Sequence, residues 1–175
     1  MNMMTQSSAE LDHIAALIKA IPIAMLTTHD ASGALCARPM AVLEMDADGV
    51  LWFFTDTRST KVDQLRTANV GFSDLGRGTY VSFSGHGEIV MDRPRIERLW
   101  TAFARPWFPD GPDSPTLALL KFVPTAGDYW DAPDSKMVRA FGTLASIVAR
   151  KPIWMGEHGS ISNLSPRAAT HGTRS

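Results

Sequence analysis

A chain of 175 residues with 45% hydrophobic and 20% charged side chains has the make-up of one soluble globular domain. Seventeen basic against eighteen acidic side chains leave a net charge of -1, which argues against a nucleic-acid binder driven by phosphate neutralisation. A single cysteine, Cys36, excludes an internal disulfide and with it a secreted cross-linked scaffold.

The opening MNMMTQSSAELDHI has no early positive charge, and charged residues interrupt its apolar stretch, unlike an export signal. No apolar run is long enough to span a bilayer, so a cytoplasmic location without membrane partners is expected. Ser7 or Ser8 is placed to cap a first helix with Leu11, Ile14 and Ile18 on one face, ended by Pro22. IAMLTTHD, ALCARPMAVLEM and VLWFFTD follow, joined by the turns DASG and DADG; three β-rich runs with Asp/Gly turns predict an antiparallel meander.

The segment STKVDQLRTA reads as a short helix. NVGFSDL and TYVSFSGHGEIV then read as two strands separated by GRG. In the second, Tyr80, Ser82 and Ser84 alternate with Val81, Phe83 and Gly85, giving one polar and one apolar face. Gly85 and Gly87 inside it predict a bend or a close backbone approach. DRPRIERLWTAFARP predicts a helix capped by Asp92, with Ile96, Leu99, Trp100 and Phe103 as its apolar stripe.

WFPDGPDSP is too rich in Pro and Gly for helix, and TLALLKFVPTAGDYWDAP is a sixth strand candidate. SKMVRAFGTLASIVAR reads as a last helix. Residues 165–175 have little to bury and are expected to form a disordered tail after a single domain spanning 1–164. Six strands with few helices point to a small antiparallel barrel; a parallel sheet would need a crossover helix between neighbours.

Within this frame LWFFTDTRSTK, residues 51–61, stands out. An aromatic strand runs into Ser59, Thr60 and Lys61 where a helix opens. The first amides of a helix lack internal partners and carry the positive end of its dipole, so a phosphate there meets amides, hydroxyls and an ammonium. The plainer alternative is Ser59 as a helix cap and Lys61 in solvent. In ARPMAV, residues 37–42, Arg38 sits in an otherwise apolar strand and needs an anion or acceptors, unless it lies outward on an edge. Pro39 beside it suits an edge or a bulge. The five histidines show no metal-ligand spacing, and no metal is expected. Cys36, two residues before Arg38, shares its strand face and reads as an inert thiol.

ARPMAV, LWFFTDTRSTKV, TYVSFSGHGEIV, ERLWTAFARPWFPDGPD, LLKFVPTAGDYWDAPDSK and GEHG together resemble the FMN-binding split-barrel proteins related to pyridoxamine 5′-phosphate oxidase. Within them they are most similar to the bacterial general stress protein group. The likeness runs from about residue 8 to about residue 164. It implies a mainly β fold, a six-stranded antiparallel split β-barrel of Greek-key type with peripheral helices. It also implies a homodimer with two flavin sites at the subunit interface.

By position in these motifs, Arg38, Ser59, Thr60 and Lys61 would hold the FMN phosphate and ribityl chain. Pro39, Met40, Phe54, Thr55 and Asp56 would lie along the isoalloxazine, several through backbone atoms. Trp107 and Trp130 would cover the ring from the other subunit; burial in the core is the alternative for each. FMN is the expected cofactor, with FAD as the alternative. The oxidase that names the family closes its substrate pocket with a C-terminal Arg-x-His pattern. This sequence lacks it and is expected to end in a helix and a polar tail, which argues against vitamin B6 phosphate oxidation. Two functions remain: a flavin-dependent oxidoreductase of an unspecified small substrate in a stress-response setting, or a stress protein that stores, senses or buffers flavin without turnover. A barrel that has lost its ligand is the third possibility.

Overall fold

Two Asp-anchored turns set the register of the first three strands, β1 (Ile23–His29), β2 (Leu35–Met45) and β3 (Leu51–Asp56). In the first turn Asp30 Oδ1 accepts from the Ser32 amide at 2.8 Å, the Ser32 hydroxyl at 2.6 Å and the Ala34 amide at 3.0 Å. In the second, Asp46 Oδ1 accepts from the Asp48 and Val50 amides. Gly33 and Gly49 close these turns with φ of 85° and 79°, where a side chain would be strained.

The computed structural model describes residues 3–59, 64–132 and 157–162. Its remaining strands are β4 (Ala68–Asp74), β5 (Thr79–Val90), β6 (Leu117–Asp131) and β7 (Glu157–Ser162). The sheet order is β3-β2-β1-β4-β5-β6-β7, and β3 also pairs with β6. That last pairing closes a ring of six antiparallel strands. The connection from β3 to β4 crosses the barrel to lie beside β1, which is the Greek-key step. The molecule is therefore mainly β, a six-stranded split barrel with peripheral helices.

β7 corrects the expected chain end: a seventh strand pairs with β6 from Ala126↔Ser162 to Asp131↔Glu157, outside the ring. EHGSIS has no apolar alternation, so its strand character comes from the partner edge that β6 offers. The helix expected at 135–150, residues 60–63 of the STKVDQLRTA helix and the tail 165–175 lie outside the described residues.

Two clusters hold the strands. Phe53, Phe72, Phe83 and Phe122 fill the barrel interior with Leu26 and Val70, and Ile14 and Ile18 of α1 (Met3–Ile18) close over them. Each such side chain, fully buried, stabilises the fold by about 1.5–3 kcal/mol. On the outside of β3 and β6, Trp52, Phe54, Leu117 and Leu119 pack with Ile96 of α2 (Arg93–Leu99). β3 is thus covered on both faces, which explains why VLWFF reads as an unbroken apolar run.

Both helices differ from expectation at one end. α1 begins at Met3, ahead of Ser7 and Ser8, because Met and Gln are strong helix formers and carry the helix upstream of both serines. α2 is capped as expected, Asp92 Oδ1 accepting from the Arg95 amide at 3.0 Å. It stops at Leu99, however. Trp100 turns extended with ψ 132° so that its ring can meet Phe54, and Ala102–Ala104 form only a 3-10 turn. Phe103 consequently leaves the stripe and is exposed.

The bend expected in β5 is present. The β5–β6 register passes from Ser84↔Ala126 to Gly85↔Pro124, so Thr125 is an extra residue in β6. A Cβ on Gly85 would run into the Val123 carbonyl oxygen, which is why glycine stands there.

Candidate functional site

The ladder between β2 and β3 is short. It runs from Met45↔Leu51 through a bulge to Val42↔Phe53 and ends there, although β2 extends back to Leu35 and β3 forward to Asp56. Beyond Val42, β2 pairs among the described residues only with β1, down to His29↔Leu35. Among the described residues, Phe54, Thr55 and Asp56 pair only with β6, on their other side. The two strands part at this point, and the wall of the barrel splits into two lips.

Six of the residues implicated by sequence stand on these lips: Arg38, Pro39 and Met40 on β2, Phe54, Thr55 and Asp56 on β3. Alternation divides them between two faces. Met40 shares the inward parity of β2 with Arg38, and Thr55 shares the inward parity of β3 with Phe53. Pro39, Phe54 and Asp56 take the outer side. Pro39 is placed where its missing donor costs nothing. The Val42 amide bonds back to the Pro22 carbonyl beside β1, so in the alternating ladder Pro39 is directed away from β1, toward the open edge.

The inward groups are polar at the mouth of the barrel. Arg38 Nη2 donates to Thr28 Oγ1 at 3.2 Å; among the described residues its guanidinium makes no ion pair. The Thr55 hydroxyl is buried without a hydrogen-bond partner among the described residues. Such an orphaned group costs about 1–3 kcal/mol unless something completes it. Cys36, on the same face, lies with Sγ 3.9 Å from Asp30 Oδ2.

On the outer side, Phe54 is committed to the protein. Its ring packs 5.7 Å from Trp100 and 6.0 Å from Phe108, leaving backbone atoms to face the split. Met40 is likewise buried in the interior cluster. Asp56 organises the chain that leaves β3: it accepts from the Arg58 amide at 2.8 Å, from Arg58 Nη2 at 2.7 Å and from the Thr116 hydroxyl at 3.2 Å. The Arg58 guanidinium and amide hold its carboxyl well below the usual carboxylate range. The Asp56 carbonyl accepts from the Ser59 amide at 3.0 Å, fixing the half-buried Ser59 just past the lip. Thr60 and Lys61 lie outside the described residues.

The two tryptophans stand apart from the lips. Trp107 is 64% exposed, and among the described residues its ring pairs with Phe103 alone, 5.5 Å away, so it plugs no core there. Its loop is tied to α2 by Arg93, which donates to the Pro112 and Ser114 carbonyls at 3.0 Å each. Trp130 sits near the far end of β6, whereas Asp56 pairs with Leu117 at its start. At ~3.3 Å per residue that is about 40 Å along the strand, out of reach of the same chain's lips. Its ring stacks on His158 at 5.0 Å and stands opposite Tyr80 in the β5 ladder.

Thr28 and Thr116 escaped the sequence reading, while Arg58 and His158 lay within the quoted TRSTK and GEHG without a role of their own. Thr28 had a signal, as the next inward position after Ala24 and Leu26 in β1.

The donor set suits a flat, anion-bearing cofactor such as a flavin: a guanidinium and two hydroxyls at the barrel mouth, backbone edges along the lips, and an apolar Pro39 face. Residues 9–153 match the pyridoxamine 5′-phosphate oxidase like family model. The general stress FMN/FAD binding protein of Xanthomonas citri is 28% identical over 73% of this chain and 92% of its own, with a TM-score of 0.61. General stress protein 26 of Jannaschia sp. CCS1 shares the fold, at 24% identity over 88% and 99% of the two chains and a TM-score of 0.70. Protein bli-3 of Neurospora crassa is 24% identical over 87% of this chain and 79% of its own. With most of its length matched and the parted barrel in place, the chain belongs to the pyridoxamine 5′-phosphate oxidase like family.

Proposed function

We propose that the protein is a flavin-dependent oxidoreductase that holds FMN at the β2–β3 split, in a homodimer whose second copy completes each site. The observation that carries the reading is the parted ladder beyond Val42↔Phe53, with Arg38 and the unpartnered Thr55 hydroxyl on its inner side. Bound flavin would supply two-electron redox chemistry to a small substrate, with reduced nicotinamide as the expected electron source.

The chain's own residues bind and orient. Arg38 and Ser59, with Thr60 and Lys61, would meet the phosphate and ribityl chain. Pro39, Met40, Phe54, Thr55 and Asp56 would border the ring, Phe54 and Met40 through backbone atoms. Trp107 and Trp130 of the second copy would cover it. The similarity to an FMN/FAD binding general stress protein supports the cofactor class.

A titration of the purified protein with FMN, followed by quenching of flavin fluorescence, tests this. Saturable binding is expected, weakened at least about tenfold by Arg38→Ala, since hydrogen bonds to a charged group are worth about 1.5–3 kcal/mol. An unchanged affinity in the variant removes Arg38 from the site. Steady oxidation of reduced nicotinamide by the FMN-loaded protein separates turnover from mere flavin storage.

A further inference from the structure

A cleft of about 380 Å³ opens where the end of β1, the start of β4 and the bend of β5 meet; of the flavin donor set among the described residues only Thr28 lines it, its hydroxyl taken by Arg38. It exists because of the bulge already described. Gly85 lets β5 fold toward β6, and the extra residue Thr125 turns its hydroxyl to the Ser84 carbonyl at 3.1 Å, forming one wall. The opposite wall is Thr27 and His29.

The chemistry of the lining is one-sided. Arg66 lies in it, and among the described residues its guanidinium has neither an ion pair nor a hydrogen bond. His86 and His29 stand at its edge. His29 Nδ1 lies 3.1 Å from the Gly33 carbonyl, so that nitrogen is the donor, and among the described residues Nε2 has no hydrogen-bond partner. None of the described lining residues is acidic. Among the described residues, the carboxylates nearest to the lining in sequence are already engaged: Glu88 with Lys121 at 2.6 Å, and Asp30 within its own turn. An exposed guanidinium among hydroxyl donors and imidazoles, with no carboxylate among the described lining residues, has the composition of an anion site.

We infer that this cleft binds a small organic phosphate, a site separate from the flavin split. Arg66, His86 and the Thr27 and Ser84 hydroxyls face the phosphoryl oxygens, and Leu35 and Ala68 offer a short apolar wall to the remainder. The volume lies at the lower end of small-molecule sites, enough for a phosphate with a body the size of a short polyol. The bond from Arg38 to Thr28, which lines the cleft, makes it a neighbour of the split.

The test follows the imidazole proton signals of His29 and His86 by NMR while inorganic phosphate or glycerol 3-phosphate is added, first to flavin-free and then to FMN-loaded full-length protein. Saturable shifts in both forms are expected, with tighter binding of glycerol 3-phosphate and at least about a tenfold rise in Kd for Arg66→Ala. Absence of shifts, or shifts indifferent to Arg66→Ala, overturns the site. Equal affinity for the two probes overturns the organic ligand. Loss of the phosphate signal on loading with FMN makes the cleft part of the flavin's own site and overturns its independence. Flavin absorbance, read separately, reports whether FMN binds at all, so failure of the flavin proposal is not mistaken for failure of this one.

Discussion

Asp56 shows how much one side chain at the lip decides. Its carboxylate gathers the Arg58 amide, the Arg58 guanidinium and the Thr116 hydroxyl, and so fixes the path from β3 to Ser59. Its folded pKa is depressed below the unfolded value of about 3.9. The stability it contributes is therefore fully present above that unfolded value and is lost as pH falls through the folded one. Asp56→Asn should accordingly lower Tm at pH 7, and the gap to the parent protein should shrink as the pH is taken from about 5 toward 2. A gap of constant size in thermal melts across that range would mean that the charge contributes nothing. Arg38 was legible in the sequence because a guanidinium in an apolar strand must find a partner. Thr28, the partner it finds, was not: the contact crosses two strands and depends on their register.

At the scale of elements, α2 is fastened to the barrel by a charged clamp. Arg95 Nη2 reaches Glu44 on β2 at 2.6 Å while its guanidinium carbon lies 3.6 Å from the centre of the Trp52 ring on β3, and Arg98 shares the same carboxylate. Asp46 steadies the ring by accepting from its Nε1 at 2.8 Å. Because Arg95 is mostly shielded, its ion pair and ring contact together are worth about 1–3 kcal/mol. Arg95→Ala should lower unfolding stability by that amount in urea titrations. A loss below about 0.5 kcal/mol would show that Ile96 burial alone docks the helix. None of this clamp was visible in sequence, since Glu44 and Arg95 are distant in the chain. The six barrel strands were visible, because Asp/Gly turns and alternating burial mark them. β7 was not, being polar and dependent on the edge of β6, and the end of α2 was misplaced because Trp100 obeys its contact with Phe54 over the helical period.

On the proposed reading, a single barrel would leave the flavin site half built. Trp130 lies far along β6 from the lips, Trp107 and Phe103 project into solvent, and β1 exposes Ile23 and Met25. A second copy related by two-fold symmetry would cover such surfaces and bring each tryptophan toward the partner's split. Light scattering should then give a dimeric mass, but mass alone leaves the shared site unproven. Mixing does more. Arg38→Ala and Trp130→Ala damage opposite sides of the proposed site, so a heterodimer of the two carries both lesions in one site and none in the other. After subunit exchange of equal amounts, about half of the dimers are mixed and about a quarter of all sites regain parental FMN affinity. Each variant alone regains none. If the mixture titrates as the plain average of the two variants, the tryptophan and the arginine do not serve the same flavin across an interface, and the site belongs to one chain.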